Sequence, residues 1–535
     1  MTALIPIRRA ILSVSDKTDL IPFARALADL NVQIISTGGT AAALRAANID
    51  VTTVDAVTGF PEIMDGRVKT LHPAIHGALL GRRDLPSHMQ AMQRHSITPI
   101  DLVCVNLYPF ERTMNQPGVT ADEVIEQIDI GGPSMLRSAA KNHRFVTVVT
   151  NPEQYDSVIA EMRSNDGATS HELRRELAAA AFARTAEYDT AISAWMSSRR
   201  DEAFPQLLRL TYAHHLDLRY GENPHQQAAL YVNPASAEPS VVTAENLHGK
   251  ELSYNNILDG AAALELVQDL HILNPGQASA AIIKHTNPCG AAVADSLEQA
   301  YKLAHLGDPL AAYGGILALS RAVDEPTARA IAQPNTFLEI IIAPRDASGL
   351  AFQPAALELL KSRWQNVRLL AVSGMSHTGH RKINYRSVPG GMLVQDRDMR
   401  LPETASWQHV AGPAPSPAVL ADAAFLTTVG KHVKSNAIAI GGNNSLFGIG
   451  CGQVDRLMAC KIAIEKSAAR IRDLQFPVAS SDAFFPFPDG PELLINAGVK
   501  CIVHPGGSKR DSETIDLCNA RNVTCLTTSV RHFRH

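Results

Sequence analysis

A strand-helix-strand rhythm constrains this chain more than any other feature. Residues 10–14 (AILSV) read as a strand, Leu20, Phe23, Ala24, Leu27 and Leu30 recur at helical spacing, and VQIIS at 32–36 reads as the next strand. The rhythm continues through VTTV at 51–54, DLVCVNL at 101–107 and FVTVVT at 145–150. Apolar strands separated by helices need both sheet faces covered, which predicts a parallel α/β sheet. A long helix follows with Leu173, Leu177, Ala181, Tyr188, Ile192 and Trp195 on one stripe. The polar run Ser197-Ser198-Arg199-Arg200-Asp201 then predicts a domain boundary near residue 200.

At 535 residues the chain is too long for one ordinary domain. Strand and helix signals alternate again to about residue 370. A loop-like stretch with Ser373-Gly374, Gly379 and Pro389-Gly390-Gly391 precedes a last α/β block. The expected organisation is a first domain over 1–200 and a second over 201–535, in lobes of about 201–370 and 390–535. Lys284-His285-Thr286-Asn287 and Lys434-Ser435-Asn436 stand in similar places beside apolar strands, which hints at a duplicated unit.

Composition excludes several classes. A net charge of −4 carries no nucleic-acid signature, and 45% hydrophobic residues with 19% charged ones exclude a disordered chain. The seven cysteines are scattered, with no CxxC pair for zinc or thiol exchange, and read as free thiols in a reducing compartment. The apolar stretch after Arg8 and Arg9 ends at Ser13, too short for a signal-peptide core, and no run reaches membrane-spanning length. A cytoplasmic protein with neither membrane nor nucleic-acid partners is expected.

Several motifs carry candidate chemistry, each with a bland alternative. Lys284 and His285 end the apolar run Ala280-Ala281-Ile282-Ile283, so they stand at a site mouth or merely mark a strand entering solvent. Ser36-Thr37-Gly38-Gly39-Thr40 follows a strand and opens a helix, which suits a phosphate or is an ordinary turn. Ser13-Val14-Ser15-Asp16-Lys17 forms a second hydroxyl-rich turn that a parallel sheet would bring to the same edge. Arg67 and Lys69 of GRVKTLHP aim at one anion or line a solvated loop. Asp129, ahead of Gly131-Gly132, is a buried base or a helix cap, and Lys141 of KNH binds substrate or steadies a helix end.

LSVSDKT, STGGTA, GRVKTLHP, NLYPF, IDIGGPSMLRSAAKNH, LRYGENPHQ, LSYNN, KHTNPCG, KSNAIAI, GCGQVDR, SSDAFFPF, HPGGS and terminal RHFRH stand in one order along nearly the whole chain. This pattern resembles the bifunctional purine-biosynthesis enzymes that combine phosphoribosylaminoimidazolecarboxamide (AICAR) formyltransferase with IMP cyclohydrolase. The resemblance implies a cyclohydrolase domain similar to methylglyoxal synthase, then a formyltransferase of two cytidine-deaminase-like lobes. It implies 10-formyltetrahydrofolate as co-substrate, AICAR and its formylated product FAICAR as the other small molecules, and a homodimer. It leaves open a potassium ion held by backbone carbonyls.

For formyl transfer, the resemblance implies His285 as proton acceptor and Lys284 as electrostatic partner or proton donor. Arg219 and Tyr220 would bind the nucleotide, and Asn256 and Asn436 the carboxamide and formyl-transfer region. Arg456 would meet phosphate or folate carboxylate, and Asp489 the pterin, while FFPF at 484–487 is equally well core packing. Tyr313, Gly314 and Glu339 join the substrate site. Arg531 and His535, otherwise a frayed basic tail, would tuck into it. For ring closure, Lys69, Lys141 and Arg67 supply charge, and Asp129 and Tyr108 handle protons or hold the amide. Ser13, Ser15, Lys17, Ser36, Thr37, Gly38, Gly39 and Thr40 cradle the phosphate, with Thr70, Asn106, Gly131 and Gly132 beside them.

Ala311 stands where the family more often has Ser, Ser529 where Gly is usual, and His504 where Gln is frequent. Two competing readings remain. A zinc deaminase needs a Pro-Cys-x-x-Cys pair, and Cys289 follows Pro288 without a second Cys three residues on. A regulator would bind AICAR and folate without turnover.

Overall fold

The computed structural model describes residues 4–198, 204–233, 236, 238–375 and 383–535. Arg199, Arg200, Asp201 and Gly379 of the expected boundary and loop lie outside them. The chain divides into two units, Met1–Thr211 and Tyr212–His535.

The first unit is built on the expected parallel sheet. Its five strands lie in the order Thr52–Thr53, Gln33–Ser36, Arg9–Val14, Leu102–Asn106, Thr147–Val149, all parallel. The segment expected as a strand at 51–54 pairs only at Thr52–Thr53, because Val54 already opens the helix Val54–Thr58. Helix Leu20–Asp29 buries Leu20, Phe23, Ala24 and Leu27, the spaced apolar residues, while Leu30 is its C-cap. The long helix spans His171–Ser198 and packs along helix Gly131–Lys141. In chain order the strands run third, second, first, fourth, fifth, so the connections diverge beside Arg9–Val14. That switch point opens a crevice at the carboxyl ends of the central strands.

The second unit carries one twelve-stranded mixed sheet. One half has the order Glu245–His248, Arg368–Val372, Leu338–Pro344, Gly315–Leu319, Ala278–Lys284, Asn287–Ala294. The other mirrors it outward from the centre as Ser445–Gly450, Ile438–Gly442, Val478–Ser481, Cys501–His504, Thr524–Thr527, Gln408–Ala411. Each half runs edge strand, helix, hairpin, helix, then three parallel strands, so the duplicated unit is real. The hairpins share even their irregularity, a register shift between Ile282 and Ile283 in one and between Ile440 and Gly441 in the other.

The residues chosen to signal the duplication are not equivalent, however. His285 and Thr286 form the tip of the first hairpin, whose counterpart is Asn443-Asn444. Lys434-Ser435-Asn436 instead precedes its hairpin strand, at the base. Asn287-Pro288-Cys289-Gly290 begins the strand Asn287–Ala294, and the neighbouring register shift accommodates the proline.

Candidate active sites

In the first unit the two hydroxyl-rich turns meet at the crevice. Asn106, at the end of its strand, accepts from the main-chain N–H groups of Ser15 at 2.6 Å and Asp16 at 3.0 Å and donates to Asp16 O at 2.8 Å. Its side chain is thereby committed to shaping the turn. Ser36 Oγ donates to Leu12 O at 2.7 Å, and Thr40 Oγ1 exchanges hydrogen bonds with Val14 N and O at 3.0 Å. These buried hydroxyls brace the cradle, whereas Ser13, Ser15, Thr37, Gly38 and Gly39 form its open face.

Two ammonium groups converge on the N-terminus of helix Gly38–Ala46. A Cβ on Gly38 would lie 3.7 Å from Lys69 Nζ, and one on Gly39 would lie 3.9 Å from Lys17 Nζ. Gly38 also has φ +54, a left-handed conformation that glycine adopts without strain. Free N–H groups, the positive helix end and two cations make an anion site. Lys69 Nζ is held 2.7 Å from Glu62, while exposed Arg67 pairs with Glu126.

The cradle continues into the chemistry. A Cβ on Gly131 would lie 2.7 Å from Thr70 Oγ1, and Gly132 N donates to Asp129 Oδ1 at 2.8 Å. Burial pushes the Asp129 carboxyl above the usual range, opposed by N–H groups of Gly132, Tyr108 and Gly131. Cap and base are therefore compatible roles for it. The Tyr108 side chain is exposed beside this turn. Lys141 is not brought here. It ends helix Gly131–Lys141, about 15 Å of axial rise from the Asp129 turn. Its neighbour Asn142 donates to Leu79 O and Gly81 O, where helix Pro73–Leu80 ends, at the opposite edge of the sheet.

In the second unit Lys284 ends its strand with Nζ donating to Tyr313 O at 3.3 Å and Gly314 O at 3.0 Å. Gly314 has φ +71, and a Cβ there would lie 3.1 Å from that Nζ, so glycine leaves room for the ammonium. His285 is exposed at the hairpin tip. Asn287 links the tip to the other half, donating to His285 O at 2.9 Å and accepting from Lys434 N at 3.0 Å. Asn436 lies just beyond, donating to Gln453 O at 2.7 Å and accepting from Arg456 Nη2 at 2.8 Å. The likeness between the two motifs is thus one of contact, since hairpin tip meets hairpin base.

Arg456 is buried, with Nη1 on Ser481 Oγ at 2.7 Å and Asp482 Oδ1 at 2.6 Å. Its donors are turned inward, so it orients Asn436; the expectation that it meets phosphate or folate directly does not fit this placement. Asn256 caps its own helix with Ser253 and donates to Glu339 Oε2 at 2.9 Å, with Arg368 near the same carboxylate. Arg219 lies exposed over the Tyr220 ring. FFPF divides: Phe485 is core, Phe484 and Phe487 are exposed, and Asp489 is exposed at the start of helix Asp489–Asn496.

The C-terminal segment is anchored, through residues the motif reading passed over. His532 donates its N–H to Asp482 O at 3.1 Å, and Ser435 N donates to Arg534 O at 2.9 Å. Arg534 reaches Glu265 and His432, both at 3.1 Å, whereas Arg531 and His535 are exposed. Sequence reasoning also missed Asp259, which lies in no motif, and gave no role to Asn287, Lys434 and Asp482, although KHTNPCG, KSNAIAI and SSDAFFPF contain them.

A family described as AICARFT/IMPCHase bienzyme matches residues 139–466, and one described as MGS-like domain matches residues 19–134. The bifunctional purine biosynthesis protein PurH of Oceanobacillus iheyensis is 44% identical over 528 residues, covering 99% of this chain and 100% of that one. Its namesake from Magnetococcus marinus is 47% identical over 543 residues, covering 99% of both. Among solved structures, the crystal structure of ForH is 35% identical over 36% of this chain and 97% of its own, with a TM-score of 0.34.

Proposed function

The chain belongs to the AICARFT/IMPCHase bienzyme family, and we propose on that premise how its two units divide the work. It is a bifunctional enzyme of purine biosynthesis, transferring a formyl group to AICAR and closing the product to IMP, with a formyl-folate as co-substrate. The observation that carries the division is that Lys284, His285 and Asn436 fall in one unit, and Lys69, Thr70 and Asp129 in the other.

The AICAR amine is a weak nucleophile because its lone pair is delocalised into the imidazole. As it attacks the formyl carbon of 10-formyltetrahydrofolate, His285 accepts its proton, relayed through the neighbouring carboxamide. Lys284 stabilises the oxyanion and, as that collapses, donates the proton with which the folate nitrogen leaves. Arg219, Tyr220, Asn256, Tyr313, Gly314 and Glu339 hold the nucleotide, Asp489 meets the pterin, and the exposed side chains of Arg531 and His535 border the site. In the second step the carboxamide nitrogen attacks the formamide carbon and water departs. Lys69 balances the developing oxyanion, Asp129 takes the nitrogen's proton, and Lys17 with the helix N-terminus holds the phosphate. Lys141 is left outside this reading of a single chain.

The reading assigns no zinc, since Cys289 follows Pro288 without a second cysteine three residues on. A cytidine-deaminase-like fold for each lobe is what the family resemblance implies, and the repeated topology supports two like lobes. A potassium ion would find oxygens of Thr427, Ser480, Ser481, Asp482 and Thr528 in a small cavity whose wall also carries Lys431 and His532. Comparing transfer rates in potassium and sodium salts tests it. Seven free cysteines support a cytoplasmic protein. Exposed Leu310 (88%) and Val454 (99%) support a homodimer, which light scattering would check.

The deciding experiment supplies AICAR and 10-formyltetrahydrofolate to His285→Ala and Lys69→Ala. The first should make no FAICAR yet convert added FAICAR to IMP, and the second should accumulate FAICAR. Near-normal transfer by the first, or prompt IMP from the second, would remove that residue from its role. A parent that binds both substrates without making IMP would restore the regulator reading.

A further inference from the structure

We propose that Asp259 is a positioning residue for formyl transfer, its carboxylate fixing the hairpin tip that presents His285; the inference rests on the role given to His285 above. The tip is unusual. His285 has φ +51 and Thr286 φ +61, two consecutive left-handed residues of which neither is glycine and one is β-branched. Each side chain crowds its own backbone in that conformation, which two-residue hairpins ordinarily fill with Asn-Gly. Such a tip persists only when its surroundings over-determine it.

Asp259 supplies that restraint from the preceding helix, Tyr254–Leu273. Its Oδ1 accepts from Thr286 N at 2.7 Å, while Asn287 holds the His285 carbonyl from the other side. The imidazole itself remains exposed, so the main chain is fixed and the reactive ring is left to the substrate. Asp259 makes no claim on substrate; it acts through the turn.

The duplicated half shows what this device is for. Asp422 is the sixth residue of helix Pro417–Lys431, as Asp259 is the sixth of its own helix. Asp422 accepts from Asn443 N at 2.9 Å and Asn444 N at 2.6 Å, at the equivalent tip. There both residues have φ +51, but both are asparagines, which tolerate the left-handed region. The residue equivalent to Lys284 is Gly442, and a Cβ on it would lie 2.6 Å from Leu474. One fold element thus appears twice: once relaxed and packed over, once strained and open with a Lys-His pair on it. The strain is concentrated where the chemistry is.

The test compares Asp259→Ala, Asp259→Asn and Asp422→Ala in the full-length protein. Asp259→Ala should lower formyl-transfer kcat about 10- to 100-fold, as expected for a misaimed catalytic group, with KM for AICAR changed less than about threefold. Asp259→Asn keeps an acceptor oxygen and should restore most of kcat, with the pH–rate profile unmoved. Asp422→Ala should lower the unfolding midpoint yet leave transfer within about twofold of the parent. Parental kcat in a folded Asp259→Ala protein would overturn the proposal. So would an Asp259→Asn variant as impaired as the alanine, or an equal loss in Asp422→Ala. His285→Ala belongs in the series: normal transfer there defeats the site reading itself, whereas its loss beside an active Asp259→Ala defeats only the positioning role.

Discussion

Tyr188 and Asp129 are joined by a hydrogen bond of 3.0 Å from the Asp129 N–H to the tyrosine hydroxyl. The same hydroxyl donates to Gln127 O at 2.7 Å, and burial pushes it up to about 12, so it stays protonated and bridges both flanks of the Asp129 turn. Tyr188→Phe keeps the ring against Phe110 but removes the partner of two half-buried main-chain groups, at a cost of about 1 kcal/mol. Ring-closure kcat should fall about tenfold while formyl transfer is unchanged. Conversion of FAICAR to IMP, followed beside thermal unfolding, checks this; unchanged ring closure would show that the aspartate needs no such clasp.

Arg534 ties the end of the chain to the base of the second hairpin, through its carbonyl on Ser435 N and its guanidinium on Glu265 and His432. Arg534, His432 and Arg397 hold the Glu265 carboxyl below its usual range despite burial, the mark of a settled ion pair. Deleting residues 531–535 should therefore cripple formyl transfer and spare ring closure. Arg534→Ala should reproduce most of that loss, whereas Arg531→Ala, whose side chain points to solvent, should weaken substrate binding without loosening the segment. Steady-state kinetics on the three variants separates anchor from ligand.

What was legible in the sequence was whatever short-range pattern encodes. The first sheet follows from runs such as AILSV and VQIIS, and the Lys17 and Lys69 cradle from small residues after a strand. Long-range consequences were not legible. Lys141 and Asp129 share one motif, yet the helix between them runs back across the sheet and delivers them to opposite edges. Pro288 reads locally as a break, although a register shift next to it lets the strand continue. Asp259 carries no signal at all, because its role exists only once a hairpin tip folds over its helix.

His504 is buried, with Nδ1 accepting from Gly506 N at 3.1 Å and its ring edge-on to Phe485. Burial lowers its pKa from 6.5 to about 4. Below pH 6.5 the unfolded chain takes up a proton that the folded imidazole refuses, so the unfolded state binds more protons and stability falls as pH falls. The loss grows between about pH 6.5 and 4 and amounts to about 3 kcal/mol at its limit. His504→Gln should flatten the acid side of a urea-midpoint profile in that window and change little at pH 7.5. An identical acid slope in both proteins would mean that other groups carry it.

Ser529 has φ +58, in the left-handed region, with its N–H donating to Pro505 O at 3.0 Å. A Cβ costs roughly 1–2 kcal/mol in that conformation, and glycine would avoid it. Part of the gain returns as the greater freedom glycine gives the unfolded chain, leaving a net stabilisation of about 0.5–1 kcal/mol for Ser529→Gly. The substitution lies two residues from Arg531, in the segment whose anchoring formyl transfer requires. If that anchoring is already complete, the unfolding midpoint should rise while kcat stays at the parental value. A rise in both would mean that the strained serine leaves part of the population with its C-terminus undocked, and the parallel measurement of midpoint and kcat decides between them.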